Sequence, residues 1–539
     1  MQVLWIACIF FFFAGLLFIP LLGIENDEAL FAQGLYHPRA EMYGIHIGKS
    51  QIPIMLMSYV GALKSWAYGP VLRIFGISLA SLRFPTLLAG VASIWIFFLV
   101  LRRIAGNRAA VIGAVLLATD AQYLLTSCFD WGPVAFQHLL IAGGALMLVR
   151  FYQEKSEASL AIGCFLLGLA FWDKALAVWL LSGLAVGGAL TFPRQIASLI
   201  TTRRVGIAVI AAVLGAAPLL LFNATNQWAT FHGNFERDTK DVPGKALFLV
   251  RTFGGGGLFG WMSAEDETTP QPHLPNSAIA RASADISAVF GHPRQSFLLY
   301  CFVLAILLAP LTGWINLRMI LWCLIAMAIA WIQMAINQNT GGSIHHTILL
   351  WPLPQALIAL SFAGFARRFG GAAVPAVAAV TGLVAFSGVL VVNEYYREML
   401  RNGGAPAWDD AVIPVAQYLD RAPVYNVAFA MDWGIIEPVR LLDRGRIRLA
   451  TGTDQLTGPP ISAQDQEMLK GMVSDSRNLF VAHPAGAEFF KGKNEQLQAF
   501  ASSLGFVPEV VQRISDSYGR PFFEIYRFVP AGAAVPRVP

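Results

Sequence analysis

Residues 23–34 read GIENDEALFAQG and follow directly on the apolar stretch that opens the chain. Glu25, Asp27 and Glu28 therefore stand together at the mouth of the first hydrophobic segment. Three carboxylates this close repel one another, and the hydrocarbon core of a membrane does not tolerate them. They are either solvated acids at a helix end or part of a functional site at the membrane surface.

The composition places most of the chain in a bilayer. Of the 539 residues, 56% are hydrophobic and 13% are charged, against about 25% charged in a soluble domain, and the mean hydropathy is +0.58. Long apolar runs recur as far as residue 392, whereas the sequence beyond 397 is mixed, charged and rich in Pro and Gly. We therefore predict a polytopic α-helical membrane domain over 1–395 and a soluble C-terminal α/β domain over 396–539.

The apolar runs predict about eleven transmembrane helices of roughly 20 residues each. The predicted spans are 3–24, 84–101, 109–126, 132–149, 158–172, 175–192, 205–222, 296–315, 319–336, 347–364 and 371–392.

The basic residues of the connecting loops predict the orientation of these spans. Short loops on the cytoplasmic side carry most of the Lys and Arg residues. Alternate loops here contain Arg102, Arg103 and Arg108; Arg150 and Lys155; Arg194, Arg203 and Arg204; Arg318; and Arg367 and Arg368. The opposite short loops contain only Lys174. We expect a cytoplasmic N-terminus, with loops 25–83 and 223–295 and the C-terminal domain outside.

The net charge of +5 fits these cytoplasmic anchoring residues, so it does not indicate a nucleic-acid partner. The five cysteines form no CxxC motif, and the C-terminal domain contains none. The first apolar stretch lacks a basic leader and is too long for a usual signal peptide, so we expect an uncleaved span.

The unusual polar residues near membrane boundaries fall on the predicted outer face. They are Asp27, Glu28, Asp130, Asp173, Lys174, His345 and His346. A carboxylate can act as a general base on a hydroxyl or amine, and lysine or protonated histidine stabilises a phosphate leaving group. This combination suits transfer of a sugar from a phosphorylated lipid, and a single displacement with one base would invert the anomeric centre.

Each of these residues also has an ordinary explanation. Asp27 could be a solvated helix-end acid, and Asp130 could cap the next helix. Lys174 could pair with Asp173, and the histidines could be satisfied interface residues. Asp, Glu and His also bind divalent metals, but no compact motif such as HExxH is present, so no metal is expected to be required.

The first outer loop contains SQIPIMLMSYVGALKSWAYGPVLRIFG at 50–76, whose composition suggests an interfacial helix pair lying on the membrane. Lys49, Lys64 and Arg73 interrupt it, either as anchors to lipid headgroups or as ligands of an anionic headgroup. The glycine run Gly254–Gly257 in the second long loop is not followed by GK[ST] and so is not a P-loop; a covering loop and a plain linker both remain open.

Four segments, in this order, resemble motifs of the GT-C glycosyltransferases. They are ENDEALFAQG at 25–34, FDWGPVAFQHLL at 129–140, FWDKALAVWLL at 171–181 and HHTILLWPLPQALIAL at 345–360. The resemblance covers roughly residues 1–395. It is greatest to the branch that contains the protein O-mannosyltransferases and the aminoarabinose lipid A transferase.

The resemblance implies roles for particular residues. Asp27 takes the position of the catalytic base, Asp130 matches the second acidic motif, and Lys174 matches the family lysine, although Ala175 replaces the usual glycine. One of His345 and His346 stands where the family often has arginine, and Lys49 lies near the first-loop lysine that binds the donor phosphate. Glu28 would help to position donor or acceptor.

The family also implies an activity: inverting transfer of a hexose or pentose from a polyprenyl-phosphate donor, undecaprenyl phosphate in a bacterium. Transfer would take place at the periplasmic face of the inner membrane, onto a lipid, glycan or protein of the cell envelope. Two alternatives remain. A transporter or flippase would carry ionisable residues at mid-membrane and repeated halves, and neither stands out here. A polymerase or ligase that uses pyrophosphate-linked glycans would be expected to carry more arginines in its outer loops.

Overall fold

The computed structural model describes residues 1–33, 35, 42–48, 50–132, 134–232, 234, 236–422, 425–456 and 461–532. Lys49, the predicted phosphate ligand of the first outer loop, lies outside the described residues.

The chain begins with the apolar helix α1, Gln2–Phe18, and then α2, Asn26–Gln33. Asp27 and Glu28 lie in the first turn of α2, where the positive end of the helix dipole favours acids. A three-stranded antiparallel sheet follows, in the order β1–β2–β3. Its strands are Tyr43–Ile47, Ser50–Met57 and Val60–Gly61, and helix α3, Leu63–Phe75, comes after them.

This sheet replaces the first half of the predicted interfacial helix pair, so that prediction is wrong for residues 50–61. Pro53 disfavours a continuous helix, because it lacks the amide hydrogen that a helix interior uses. The β-branched residues Ile45, Ile47, Ile52 and Ile54 favour the pleated surface, and Ile45 pairs directly with Ile52. Only α3 has the expected helical form.

Fifteen further helices complete the residues up to 402, within the described part of the chain. They are α4 Leu79–Ala105, α5 Asn107–Ala118, α6 Ala121–Cys128, α7 Val134–Glu154, α8 Glu157–Asp173, α9 Ala177–Thr191, α10 Pro193–Ala197, α11 Thr202–Thr225, α12 Val242–Gly254, α13 Ala278–Phe290, α14 Leu298–Leu308, α15 Trp314–Ala335, α16 Ile344–Thr347, α17 Leu353–Phe369 and α18 Ala373–Asn402.

Each of the eleven predicted ranges contains a helix, but not every helix is long enough to cross a bilayer alone. Among the described residues, six are long and apolar enough, and the pair α5 and α6, bent by 63°, would make a seventh. The apolar helices α1, α9 and Leu298–Leu311 are shorter. The chain is a multi-pass membrane protein, and the count of eleven spans stays a prediction.

Small residues allow the membrane helices to approach closely. A Cβ on Gly168 of α8 would lie 2.3 Å from the carbonyl oxygen of Ala212 on α11. A Cβ on Gly183 of α9 would lie 2.4 Å from the carbonyl oxygen of Ala326 on α15. Backbones this close are typical of helix packing in lipid, where tight van der Waals contact replaces the hydrophobic effect.

Three basic residues of the alternate loops form polar contacts at the same end of the helices. Arg103 pairs with Glu154 at 2.8 Å, Arg203 pairs with Glu157 at 2.7 Å, and Arg318 donates to the carbonyl of Thr191 at 2.8 Å. These contacts lie at the helix ends opposite those that carry Asp130 and Lys174.

The C-terminal residues form an α/β unit. Its elements are α19 Val412–Arg421, β4 Ala428–Ala430, α20 Ile436–Asp443, β5 Leu449–Thr451, α21 Ala463–Ser474, β6 Leu479–Ala482, α22 Lys493–Ser503, β7 Phe506–Ser515 and β8 Pro521–Pro530. The strand order is β5–β4–β6–β8–β7. The first three of these strands are parallel, and β8 and β7 are antiparallel additions. One apolar cluster packs α19 and α20 on the sheet, and another packs α21 and α22.

The junction between the two parts is tightly packed. Helix α18 runs to Asn402, past the predicted boundary at 395. Trp408 is fully buried, and its ring centroid lies 5.5 Å from those of both Phe129 and Trp131. The amide of Gly23 donates to the carbonyl of Trp408 at 2.9 Å. The C-terminal domain is therefore held against the same end of the helices as the acidic segment 23–34.

Candidate functional site

Glu25 organises the start of α2. Its side chain is 2% exposed, and one carboxylate oxygen accepts hydrogen bonds from the amides of Asp27 at 2.7 Å and Glu28 at 3.2 Å. These amides belong to the first turn, whose donors have no partner within the helix. Burial, and then the neighbouring charge of Asp27, raises the pKa of Glu25 well above its ordinary value. Glu25 is thus a helix cap.

Glu28 is held by Arg83 of α4. The two side chains form a bidentate ion pair at 2.8 and 2.9 Å, and Arg83 is completely buried. The same guanidinium donates to the carbonyls of Ile19 at 2.7 Å and Leu22 at 3.0 Å, so it also caps the chain that leaves α1. The carboxylate of Glu28 is occupied by this ion pair. Glu28 therefore influences the site by holding α2 in position.

Asp130 pairs with Lys64 of α3. The ammonium lies 2.7 Å from one carboxylate oxygen, and the other accepts from the amide of Val134 at 2.8 Å at the start of α7. The capping role considered for Asp130 is thus present together with an ion pair. Lys64 is 5% exposed and lies 4.6 Å from the ring centroid of Phe31 on α2. The sequence offered Lys64 as an anchor to lipid headgroups or as a ligand of an anionic headgroup, and nothing local revealed Asp130 as its partner.

Lys174 occupies the link between α8 and α9. Its backbone bridges to Val60 of β3, and its side chain is 4% exposed. A Cβ on Gly132 would lie 2.8 Å from its ammonium nitrogen, so this glycine makes room for the lysine. Burial lowers the pKa of Lys174 to about 8, an effect that the charges of Asp27, Asp130 and Asp173 oppose.

Asp27 is partly buried and lies within electrostatic range of two lysines. Burial raises its pKa above the ordinary value of 3.8, against the opposing effects of a hydrogen bond from Asn26 and the charges of Lys174 and Lys64. The side-chain amide of Asn26 donates to one carboxylate oxygen at 3.3 Å. A carboxylate with a raised pKa that keeps one oxygen free of this bond is suited to accept a proton.

The paired histidines lie on the short helix α16. The indole nitrogen of Trp131 donates to Nδ1 of His345 at 2.7 Å, and the hydroxyl of Ser343 also lies 2.7 Å from Nδ1. Because Nδ1 accepts, the neutral ring carries its hydrogen on Nε2. The ring of His346 lies 4.1 Å from that of His345, and Lys174 is within electrostatic range of both.

Asp173 and Tyr68 are buried beside these groups with unused polar atoms. Asp173 is 0% exposed, and neither its carboxylate oxygens nor the hydroxyl of Tyr68 has a hydrogen-bond partner in the described part of the chain. A cavity of about 10 Å³ is lined by Tyr68, Lys64, Asp130 and Glu28, among others. That volume is enough for roughly one water molecule. The sequence placed Asp173 among the polar residues of the outer face and suggested it as a partner for Lys174.

The structure thus brings Asp27, Asp130, Lys174, His345 and His346 to one end of the membrane helices, and adds Lys64. Asp120, another acid near the outer face, instead caps α6 and accepts from Trp351 at 2.7 Å. Within the described residues, no group of three or more His, Cys, Asp or Glu side chains is arranged to hold a metal ion. The arrangement offers one partly free carboxylate next to buried cations, which suits proton removal beside a bound anion.

Known proteins include structures that share the fold of this chain. Residues 61–222 match the family model described as dolichyl-phosphate-mannose-protein mannosyltransferase. A comparison with curated protein sequences gives no match. Among solved structures, ArnT from Cupriavidus metallidurans bound to undecaprenyl phosphate is similar, with 12% identity, a TM-score of 0.58 and 97% of each chain covered.

Two further structures agree. ArnT from the same organism in the apo state has a TM-score of 0.56 at 13% identity, again over 97% of each chain. The Archaeoglobus fulgidus oligosaccharyltransferase in the apo form has a TM-score of 0.53 at 14% identity, over 94% of this chain and 69% of that one. The expected resemblance to the GT-C glycosyltransferases is confirmed, and at these identities the likeness to the solved structures establishes the fold.

Proposed function

We propose that this chain, with its GT-C fold, is a membrane glycosyltransferase that moves a sugar from a polyprenyl-phosphate donor to an acceptor of the cell envelope. In a bacterium the donor lipid would be undecaprenyl phosphate. The observation that carries the proposal is Asp27, a partly buried acid within electrostatic range of the buried cations Lys64 and Lys174.

Asp27 would act as the general base. It accepts the proton of the acceptor hydroxyl while the acceptor oxygen attacks the anomeric carbon. The bond between that carbon and the phosphate oxygen breaks, and its electron pair remains on the phosphate. A single displacement inverts the configuration at the anomeric carbon and releases the polyprenyl phosphate.

The buried cations would bind the phosphate of the donor. Lys174 sits among Asp27, Asp130 and both histidines, and Lys64 is held in place by Asp130. A phosphate that enters this region gains favourable interactions with both ammonium groups, which strengthen as the leaving group acquires charge. Nε2 of His345 offers a further donor, because Nδ1 is already occupied.

The location of the site follows from the sequence pattern. The loop arginines predict that the end of the helices bearing Asp27 faces away from the cytoplasm. In a Gram-negative cell this places the site and the C-terminal domain on the periplasmic face of the inner membrane. No metal is assigned a step in this proposal; Lys64, Lys174 and Nε2 of His345 are the groups that would contact the phosphate.

The test uses protein purified in detergent, a panel of undecaprenyl-phosphate sugars, and a cell-envelope extract as acceptor. The measured quantity is the released undecaprenyl phosphate. The wild type is expected to consume at least one donor, and Asp27→Asn to lower the rate by about 10²- to 10⁴-fold, the usual contribution of a general base. Asp285→Asn, the same change at an exposed position of α13, is the matched control.

Two results would contradict the proposal. One is a wild-type protein that consumes no donor in the panel even when the extract is present. The other is an Asp27→Asn variant that retains the wild-type rate.

A further inference from the structure

Helix α20 of the C-terminal domain packs directly against α2, the helix that carries Asp27. An apolar cluster joins them: Ile24, Ala29 and Ala32 from the α2 segment, Leu72 and Leu82 from α3 and α4, and Leu441 from α20. These six residues are at most 7% exposed. The position of α20 relative to Asp27 is therefore set by close packing.

Glu437 lies in the first turn of α20. Its carboxylate is within electrostatic range of Asp27, and burial together with that charge raises the pKa of Glu437 to about 7, while Arg440 opposes the rise. One carboxylate oxygen is buried and has no hydrogen-bond partner among the described residues. Arg440 instead donates to the backbone carbonyl of Leu449 at 3.3 Å.

A buried oxygen without a partner, on a helix packed against the one that carries Asp27, costs stability in the free protein. The cost is offset if a ligand places a hydrogen-bond donor between the two acids. A phosphate cannot do this, because it is itself an anion and an acceptor. In the proposed function the donor phosphate is bound by cations of the membrane domain, namely Lys64 of α3 and Lys174 of the α8–α9 link. Glu437 approaches Asp27 from the C-terminal domain instead.

We propose that Glu437 positions the acceptor for attack by hydrogen bonding to a hydroxyl or amine next to the nucleophilic hydroxyl. The acceptor class is then a polyhydroxylated or amino-bearing molecule, such as a glycan or a glycolipid headgroup, rather than a simple alcohol. The C-terminal domain thereby contributes a side chain to the transfer site. This inference rests on the proposed glycosyl transfer.

The test compares wild type, Glu437→Gln and Glu437→Ala with Glu467→Gln, a control in α21 whose side chain is 78% exposed. The donor is the undecaprenyl-phosphate sugar that the wild type consumes, and the acceptor probe is the cell-envelope extract in graded amounts. For Glu437→Ala, the amount of extract that gives half-maximal rate should rise by about tenfold or more, as expected for a lost hydrogen bond to a charged group.

The other readouts separate positioning from structural support. The KM for the donor and the slow release of undecaprenyl phosphate without extract should stay at wild-type values. Glu437→Gln keeps the shape and one acceptor oxygen, so its half-saturating amount should fall between those of wild type and Glu437→Ala. Thermal unfolding in detergent should occur at the wild-type temperature or above it for Glu437→Gln, because the substitution removes a buried charge.

Each opposing outcome has a distinct meaning. If the wild type is active and Glu437→Ala has an unchanged requirement for extract, the inference is wrong and the proposed transfer stands. If the KM for the donor rises in parallel with the requirement for extract, Glu437 supports the fold and the inference is also wrong. If the wild type consumes no donor at all, the proposed transfer fails and the inference fails with it.

Discussion

Lys174 shows how a single residue combines several constraints. It sits on a three-residue link between two apolar helices, it is almost fully buried, and Gly132 leaves the space for its ammonium group. Burial disfavours the charged form, whereas three nearby carboxylates favour it, and the balance leaves a pKa of about 8. A lysine with this pKa loses its charge in a pH range where ordinary lysines keep theirs.

The first prediction concerns the pH dependence of donor binding. Below pH 8 Lys174 is protonated and attracts the donor phosphate; above pH 8 it becomes neutral and the attraction is lost. The KM for the donor should therefore rise as the pH increases from 7 to 9.5, approaching about tenfold per pH unit at the upper end. Steady-state kinetics over this range, with the acceptor extract saturating, measure the effect.

Lys174→Met is the control for this profile. It should show a higher KM for the donor that no longer changes between pH 7 and 9.5, since the titrating group is gone. A wild-type KM that is constant over the whole range, or a rise that persists in Lys174→Met, would contradict the assignment.

Arg83 shows how α1, α2 and α4 are joined at the scale of elements. Its guanidinium is buried, pairs with Glu28 of α2, and caps two carbonyls after α1. The ring of Phe129, next to Asp130, lies 4.7 Å from it. A single side chain of α4 thus sets the direction in which α2 presents Asp27.

The second prediction is that Arg83→Met destabilises the protein strongly. Removing one partner of a buried ion pair leaves an uncompensated carboxylate, which typically costs about 3–5 kcal/mol. The comparison is Arg103→Met. Arg103 pairs with Glu154 at an exposed site, where the two side chains are 35% and 41% exposed. That loss should cost about 1 kcal/mol or less.

Thermal and denaturant unfolding in detergent measure both variants. The double variant Arg83→Met with Glu28→Gln should recover part of the stability lost in Arg83→Met, because no buried charge remains. Equal losses in Arg83→Met and Arg103→Met would show that the buried pair has no special role.

At the scale of the whole molecule, the C-terminal domain is packed into the mouth of the site. Trp408 fills the space between Phe129 and Trp131, which flank Asp130, and α20 covers α2. Gly23 marks the closest approach, because a Cβ there would lie 1.7 Å from the carbonyl oxygen of Asp409. The two parts of the chain are therefore packed tightly against each other at the end of the helices that carries the candidate site.

The third prediction is that Gly23→Ala loosens this junction. The added methyl group meets backbone, which cannot rotate away, so residues 408–410 must move, and overpacking of this kind typically costs about 1–3 kcal/mol. Limited proteolysis between 403 and 411 should become faster, and the rate of undecaprenyl phosphate release should fall. Gly206→Ala in α11, where a Cβ meets nothing within 4 Å, should leave both unchanged. Wild-type proteolysis in Gly23→Ala would contradict the tight junction.

The sequence by itself predicted a polytopic helical membrane protein and most residues of the candidate site. Spans of about 20 apolar residues reflect the thickness of a bilayer. Burying a charged side chain near the end of such a span costs free energy, so charges at these positions indicate a functional site. For this reason Asp27, Asp130, Lys174, His345 and His346 could be selected without coordinates. Their ordered motifs also predicted the GT-C fold, which the structural likeness to ArnT supports.

Only the tertiary structure decided how these residues are used. The pairing of Lys64 with Asp130, the burial of Arg83 against Glu28, and the approach of Glu437 to Asp27 join residues far apart in the chain. Hydropathy and local motifs describe one segment at a time, so they cannot specify which segments meet. The sheet formed by residues 43–47, 50–57 and 60–61 was missed for the same reason: besides the β-branched residues it contains, it depends on pairing between its strands, which hydropathy does not describe. Burial and charge pairing depend on packing in three dimensions. That packing gives the three acids of the segment 23–34 different roles: Glu25 caps α2, Glu28 pairs with Arg83, and Asp27 keeps one carboxylate oxygen available.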